Sequence, residues 1–187
     1  MVLIEGQSLS RKIEILRLDH RTFRDQRITS HVALSSRTFG ATGFTYSGEK
    51  DDNLEKSISD VVFRWGGKFS VNYTEKIGSF IRSWKGIVVH LTMYGEKHES
   101  VVNELKKLPD EDILIILGGA KVPRYVYELS DFNVAIGWQP HSEVAAIAIF
   151  LYDFMDRNLL YSDKDGANIK IDPSNSKSKR SDRFTNT

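Results

Sequence analysis

The sequence predicts an α/β fold, in which a mostly parallel sheet carries helices on both of its faces. Short apolar segments alternate along the chain with longer segments whose apolar residues recur at helical spacing. Residues 113–117 are apolar throughout, as in a strand buried on both faces of a parallel sheet. Strands that alternate with helices are joined by right-handed crossovers, so the strands are expected to lie parallel.

In the first half of the chain, this pattern predicts strands at residues 13–18, 42–46 and 69–73. It predicts helices at residues 29–39, 51–65 and 74–84. Thr29 or Ser30 is available to cap the first helix, and Asp51 opens the second. Gly66 and Gly67 end the second helix, because glycine readily leaves the helical conformation.

In the second half, strands are predicted at residues 87–91, 113–117 and 132–136. Helices are predicted at residues 97–108, 123–129 and 142–155, the second of them with Pro123 in its first turn. The domain organisation that follows is an N-terminal extension at 1–12, a single domain at 13–160 and a polar C-terminal tail at 161–187. Because the end of that tail has almost no apolar residues, we expect it to be partly disordered.

Composition excludes several classes of protein. The chain has 187 residues, 40% of them hydrophobic, which suits one globular domain with its own core. It has no cysteine, so disulfides, thiolate catalysis and cysteine zinc sites are excluded. The longest apolar run, residues 144–151, is far shorter than the roughly 20 residues of a membrane span. No signal peptide opens the sequence, and we expect a cytoplasmic protein without a membrane partner.

Positive charge is concentrated towards the two ends of the chain, although the net charge is only +1. Residues 1–37 carry seven Lys or Arg against four acidic residues, and residues 164–187 carry six against three. Basic patches of this kind can bind phosphate groups, and they can equally be solvated surface. Charge alone leaves both interpretations open.

Three glycine-containing loops follow predicted strands, at residues 92–95, 118–123 and 137–143. In parallel sheets, ligands bind beyond the carboxyl ends of the strands, and glycine lets the backbone approach a ligand closely. Each loop alone could be a tight turn, whereas three at one edge favour a small-molecule site. None of them matches a dinucleotide fingerprint or a P-loop.

The remaining chemistry-bearing residues give weaker signals. The five histidines lack metal-binding spacings, so no metal site is expected. His141 could fix its loop, and a hydrolase built on His141 and Ser142 lacks the usual nucleophile motif. Trp138 lies between glycine and Gln139-Pro140, where it could pack beside a cofactor or stack on a base.

The three loops resemble the cofactor motifs of SPOUT methyltransferases, carried here by residues 91–95, 118–123 and 133–144. Residues 31–37 resemble the first motif of the SpoU branch, with His31 in place of an asparagine. A narrower resemblance is to the archaeal tRNA (cytidine-56) 2′-O-methyltransferase family. It spans about residues 13–151, and its motifs are residues 17–27, 31–41, 64–67, 90–95 and 121–124.

This resemblance implies a trefoil knot in the second half of the chain, a homodimer, and S-adenosylmethionine as the methyl donor. The residues it assigns to cofactor binding are Leu91, Gly118, Gly119, Ala120, Lys121, Val122, Ile136, Gly137, Trp138, Gln139, Pro140, His141, Ser142 and Glu143. The small-residue surface of residues 144–148 would suit close packing of helices in the dimer.

The resemblance also implies a tRNA substrate, with Arg37 reaching the active site from the opposite subunit. Because a guanidinium stays protonated, we expect Arg37 to stabilise negative charge on the ribose O2′, with an RNA phosphate as a candidate base. Arg17, Arg21, Arg24 and Arg27 would hold tRNA phosphates, or instead form ion pairs with Asp19 or Asp25. A different target nucleotide, or RNA binding without catalysis, are the alternatives.

Overall fold

In the computed structural model, residues 11–119, 121–175 and the backbone of 179–182 are described. The elements are β1 (Ile13–His20), α1 (Thr22–Thr38), β2 (Gly43–Gly48), α2 (Asp52–Trp65), β3 (Ser70–Tyr73), α3 (Ile77–Ser83), β4 (Ile87–Lys97), α4 (His98–Leu105), β5 (Ile113–Leu117), α5 (Arg124–Leu129), β6 (Phe132–Ala135), α6 (Glu143–Phe154), a 3-10 helix (Arg157–Leu160), β7 (Ile169–Asp172) and β8 (Lys179–Asp182).

Strands β1 to β6 form one sheet with the order β3-β2-β1-β5-β4-β6, and neighbouring strands in it are parallel. The predicted α/β class is therefore confirmed. Strand β5 lies between β1 and β4 and is buried along its whole length, as its apolar sequence predicts. Among the described residues, no helix is both long enough and apolar enough to cross a membrane.

Helices cover both faces of the sheet. Ile113 and Ile115 of β5 face a core that includes α1, α2, α4 and α6, represented by Val32, Ile58 and Phe150. The alternate residues of β5 face a smaller core beneath α3 and α5. This alternation follows from the two-residue period of a strand, which sends successive side chains to opposite faces.

Helix α1 begins at Thr22, so the predicted start near Thr29 is wrong. The backbone N–H of Thr22 donates to the Glu49 carboxylate at 2.7 Å, a capping contact from another part of the chain. Thr29 lies inside the helix, where its hydroxyl contacts Nδ1 of the buried His20 at 2.8 Å. The predicted cap at Asp51 is confirmed, because its carboxylate accepts from the N–H groups of Asn53 and Leu54.

The first part of the predicted C-terminal tail, residues 161–175, packs against the domain, whereas residues 176–178 and 183–187, towards the end where disorder is expected, lie outside the described residues. Ala167 and Ile169 are buried, and β7 pairs antiparallel with β8. The segment also contacts the end of α2, where the N–H of Gly67 donates to the carbonyl of Asp165. Such backbone contacts leave no trace in a hydrophobic pattern, which is why the segment reads as a tail in the sequence.

Candidate active site

Three loops at the carboxyl edge of the sheet enclose a cavity of about 360 Å³, a size typical of small-molecule sites. Two of the loops follow β5 and β6, as the sequence predicts, whereas residues 92–95, predicted to follow a strand that ends at residue 91, lie within the longer β4. The lining residues are His90, Leu91, Thr92, Met93, Tyr94, Leu117, Gly118, Gly119, Val122, Tyr127, Ile136, Gln139, Pro140, His141, Ser142, Glu143 and Ala146.

The wall contributed by β4 is a bulge in that strand. Pairing between β4 and β6 stops at Leu91 and resumes at Glu96, so the four residues between them leave the ladder. Gly95 permits this course, because a Cβ there would lie 2.4 Å from the carbonyl oxygen of Asn133. The bulge places Thr92 and Tyr94 against the cavity.

The loop after β5 combines close packing with accessible backbone. A Cβ on Gly118 would lie 2.1 Å from a methyl carbon of Val122, so only glycine fits there without a shift. A Cβ on Gly119 would meet nothing closer than the Asp19 carboxylate at 3.9 Å. Backbone groups of Gly119 are therefore open to a ligand that enters the cavity.

His141 holds the loop after β6 in place. Its Nε2 lies 2.5 Å from the carbonyl oxygen of Ile136, and its Nδ1 lies 3.2 Å from that of Ser142. The Ser142 hydroxyl accepts from the N–H of Val144 and caps α6. His141 thus pairs with backbone carbonyls and Ser142 with a helix end, an arrangement that does not favour a serine hydrolase.

Glu143 and Arg17 form an ion pair at the inner end of the cavity. The Arg17 Nε donates to the Glu143 carboxylate at 2.9 Å, and the Arg17 side chain is only 3% exposed. Burial raises the pKa of Glu143, and the positive charge of Arg17 opposes that rise. The structure thus pairs Arg17, a predicted phosphate ligand, with a carboxylate inside the protein. This partner lies 126 positions away and cannot be anticipated from local sequence.

A polar cluster on the cavity wall was not predicted. His90 Nδ1 lies 2.9 Å from Asn133 Oδ1, and the amide nitrogen of Asn133 donates to the carbonyl of Tyr127. The Tyr127 ring meets the His90 ring edge-on at 4.6 Å, and its hydroxyl lies 3.2 Å from that of Thr92. Burial lowers the pKa of His90, so the ring is neutral at physiological pH. Tyr127 comes from α5, whose sequence carries no ligand signal.

Most predicted cofactor residues line the cavity, and three do not. Lys121 is exposed, Gly137 faces open space, and Trp138 turns outward so that its indole N–H donates to the Gly95 carbonyl. Ala120 lies outside the described residues. The cavity offers apolar side chains, open backbone and a few polar groups, a combination that fits S-adenosylmethionine. In the part of the chain that the structure describes, no group of acidic and histidine side chains could hold a metal.

Arg37 lies at the opposite edge of the sheet, near the C-terminus of α1. It lines a second cavity of about 160 Å³ with residues that precede β2 and β3, among them Thr42 and Phe69. Its guanidinium donates to the carbonyl of Gly66, and burial lowers its pKa. Within one chain, the predicted catalytic residue and the predicted cofactor residues are thus at different ends of the strands.

The other predicted RNA-binding arginines lie in the first turns of α1, close to the carboxyl edge of β1. Arg21 pairs with Asp25 one turn further along, at 2.9 Å, so for this residue the ion-pair alternative holds. The Arg24 side chain is 73% exposed, with only a distant contact to Asp25, and Arg27 is exposed.

Comparison with known proteins identifies the family. The family model of the tRNA ribose 2′-O-methyltransferase, aTrm56, matches residues 65–181. The tRNA (cytidine(56)-2′-O)-methyltransferase of Pyrococcus horikoshii is 48% identical over 163 residues, which cover 86% of this chain and 80% of that protein. The enzyme of the same name from Methanocaldococcus jannaschii is 48% identical over 165 residues, covering 87% and 92%. The family match extends to residue 181, well past the predicted end of the resemblance near residue 151.

Solved structures show the same fold at lower similarity. The SpoU methyltransferase AviRb from Streptomyces viridochromogenes, in complex with AdoMet, superposes with a TM-score of 0.55 at 15% identity. The superposition covers 76% of this chain and 56% of AviRb, so this chain spans little more than half of that protein. With a family model over most of its length and relatives close to half identical, the chain belongs to the archaeal tRNA (cytidine-56) 2′-O-methyltransferase family, within the SpoU-like fold.

Proposed function

We propose that this protein transfers a methyl group from S-adenosylmethionine to the 2′-hydroxyl of cytidine 56, in the TΨC loop of tRNA. The observation that carries the proposal is a cavity built from all three family loops in a chain 48% identical to enzymes of that name. S-adenosylmethionine supplies an electrophilic methyl group on sulfonium. We also infer the trefoil knot, from the fold shared with SpoU methyltransferases, and a cytoplasmic location, where tRNA is modified.

The residues of the larger cavity would hold the methyl donor. Leu91, Val122 and Ile136 offer apolar surface for its flat base, and open backbone at Gly119 offers hydrogen bonds. Glu143 brings a carboxylate whose charge is already balanced by Arg17. Fixed groups of this kind orient the donor and exclude water, which is the main contribution an enzyme can make to a methyl transfer.

Arg37 would act on the acceptor side, from the partner subunit of a homodimer. Methylation of O2′ releases its proton, and a nearby guanidinium stabilises the negative charge that develops there. Because Arg37 lies at the far edge of its own sheet, it can meet a donor cavity only in a second copy of the chain. The active site would therefore be incomplete in a monomer.

Helix α6 offers the surface for that second copy. Ala145, Ala148, Ile149 and Tyr152 recur at helical spacing along one side of it. The side chains of Ile149 and Tyr152 are 42% and 40% exposed in the single chain. An apolar stripe of this kind suits a self-complementary interface between two copies.

The exposed arginines of α1 would contribute affinity for the tRNA backbone. Arg24 and Arg27 are exposed, and their helix begins at the edge of the sheet where the donor cavity opens. Contacts to phosphate position RNA without reading its sequence. Arg21 would take part only by exchanging its partner Asp25 for a phosphate.

The test is incubation of the full-length protein with unmodified tRNA transcript and methyl-labelled S-adenosylmethionine, followed by nucleoside mapping. We expect label as 2′-O-methylcytidine at position 56 and none in a transcript that carries 2′-deoxycytidine there. Label at another ribose would contradict the assigned nucleotide. Absence of label, with the methyl donor bound, would favour an RNA-binding protein without catalysis.

A further inference from the structure

The second cavity has the composition of an anion site. Three of its lining residues are cationic, Arg37, Lys68 and Lys164, and none of the lining residues is acidic. We propose that this cavity binds a phosphate group, and that Lys164, supplied by the segment after the 3-10 helix, is a ligand of that phosphate together with Arg37. This adds a residue from the end of the chain to the acceptor side of the site.

Arg37 has a donor to spare for such a ligand. Its guanidinium donates to the carbonyl of Gly66, while its Nε is buried with no partner among the residues that the structure describes. A buried charged donor without an acceptor is costly, and native proteins satisfy nearly all such groups. A phosphate oxygen entering the cavity is an acceptor of the right charge for this guanidinium.

Arg37 and Lys164 also lie close enough to repel each other. Burial lowers the pKa of Lys164, and the positive charge of Arg37 lowers it further. The acidic residues on either side of Lys164 in the chain do not compensate, because Asp163 pairs with Lys170 and the Asp165 side chain is exposed. An anion between the two cations would remove the repulsion, so the cavity binds one more tightly than either cation could alone.

The position of Lys164 is built into the fold. Its side-chain stem packs against Gly67, and its ammonium group donates to the carbonyl of Leu159 at 3.2 Å. Asn168, four residues later, is fixed to the end of α2 through the carbonyls of Arg64 and Phe63. Gly66 permits this docking, since a Cβ there would lie 2.4 Å from the backbone nitrogen of Ala167.

A phosphodiester of the tRNA backbone is the source to which we commit, and this identification rests on the proposed function. The cavity of about 160 Å³ has room for one phosphate group and is too small for a nucleotide. It shares Arg37 with the acceptor side, so the phosphate bound there would lie beside the ribose that is methylated. Free inorganic phosphate has the same chemistry and serves as the probe for the site itself.

The first experiment compares Lys164→Gln and Lys164→Arg with Lys170→Gln in the full-length protein. Lys170 lies in the same segment, pairs with Asp163 and does not line the cavity, so its variant is a matched control for lost charge. We expect Lys164→Gln to weaken tRNA binding about tenfold, the effect of losing one charge-assisted contact. Log K falls as log salt rises, and in Lys164→Gln this negative slope should become shallower by about 0.7–0.9. Lys164→Arg keeps the charge, so it should retain the tRNA affinity and the salt slope of the wild type. Affinity for S-adenosylmethionine should stay unchanged in all three variants.

The second experiment separates this proposal from the proposed function. Millimolar inorganic phosphate should raise the thermal unfolding midpoint of the wild type and of Lys170→Gln, and do so much less for Lys164→Gln. That result would support the anion site even if the protein methylated a different nucleotide. Unchanged tRNA affinity and salt slope in Lys164→Gln, with equal stabilisation by phosphate, would overturn it.

Discussion

Arg37 is a half-buried side chain whose orientation is fixed by the backbone around it. Its guanidinium is oriented by the carbonyl of Gly66, which is exposed to it because α2 ends in glycine. Burial lowers the pKa of Arg37, yet the pKa of a guanidinium lies so far above neutrality that the group stays charged at neutral pH. In the proposed mechanism Arg37 would therefore act as a cation, and the proton of O2′ would leave to another acceptor.

The first prediction is that Arg37→Ala lowers kcat about 10²- to 10³-fold, the usual effect of removing one group that stabilises transition-state charge. Affinity for S-adenosylmethionine should be unchanged, because Arg37 does not line the donor cavity. Single-turnover methylation and calorimetric titration measure the two quantities. Arg37→Lys should retain part of the rate, since it keeps the charge. Wild-type turnover in Arg37→Ala would remove this residue from the mechanism.

The second prediction concerns acid. Burial lowers the pKa of both His90 and His20 in the folded protein, so the unfolded chain binds protons more readily. The free energy of unfolding should therefore fall as pH drops below about 6.5, by at most about 1.4 kcal/mol per pH unit for each group, until the folded pKa is reached.

Urea unfolding between pH 8 and pH 5 measures this dependence. His90→Gln should lose part of the slope, because glutamine does not titrate, whatever its effect on stability at pH 8. His31→Gln is the control, since His31 is exposed on α1. If the free energy of unfolding depended equally on pH in the wild type and in both variants, folding would not change the pKa of His90.

At the residue scale, the sequence predicts the residues of the loops but not the cavity residues that distant segments supply. Gly118, Gly119 and His141 could be predicted, because glycine at strand ends has a direct backbone meaning. Tyr127 and Lys164 could not, since each enters its cavity through the packing of a distant segment. For Arg17 the sequence predicts phosphate binding or a local ion pair, because a local pattern cannot reveal the Glu143 carboxylate that neutralises it.

At the scale of elements, the alternation of apolar segments predicts almost every strand and helix, with errors at their ends. Helix α1 is the largest error, because the N–H of Thr22 is satisfied by Glu49 from another part of the chain, and the mid-helix Thr29 resembles a cap. The order of the strands could not be predicted in this way. Strand β5 pairs with both β1 and β4, and nothing in its own sequence specifies these neighbours.

Helix α6 carries the third prediction. Ile149→Asp should convert a dimer into a monomer of 21.3 kDa, because a charge in an apolar interface is desolvated without a partner. Light scattering at micromolar concentration measures the mass, and methylation should be lost with the dimer. Phe63→Asp is the matched control: Phe63 is 71% exposed on α2, away from the stripe. A wild type that is already monomeric would defeat the shared-site model.

At the scale of the whole molecule, the fold separates the two halves of the proposed active site. The carboxyl edge of the sheet holds the cavity for the methyl donor, and the amino edge holds Arg37 with Lys164. A helix that follows a parallel strand necessarily returns to the opposite edge, so the end of α1 cannot lie beside the donor cavity of its own chain. Two copies related by a two-fold axis would bring unlike edges together twice.

The fourth prediction tests this sharing with mixed dimers. One chain carries Arg37→Ala, and the other carries Gly119→Leu, chosen because Gly119 lines the donor cavity and verified by loss of S-adenosylmethionine binding. Neither homodimer should methylate tRNA. A differently tagged, co-purified heterodimer should recover about half of the wild-type activity, since one of its two sites combines an intact cavity with an intact Arg37.

The control places both substitutions in one chain and pairs it with a wild-type chain. Under the shared-site model this heterodimer is inactive, because the intact cavity meets the substituted Arg37 position and the intact Arg37 meets the defective cavity. If Arg37 served the cavity of its own chain, the outcomes would be reversed: the wild-type chain would keep its site, and the first heterodimer would have none. Each heterodimer contains one intact and one defective cavity, and one intact and one substituted Arg37. The difference in their methylation activity therefore measures only whether the donor and acceptor sides belong to different subunits.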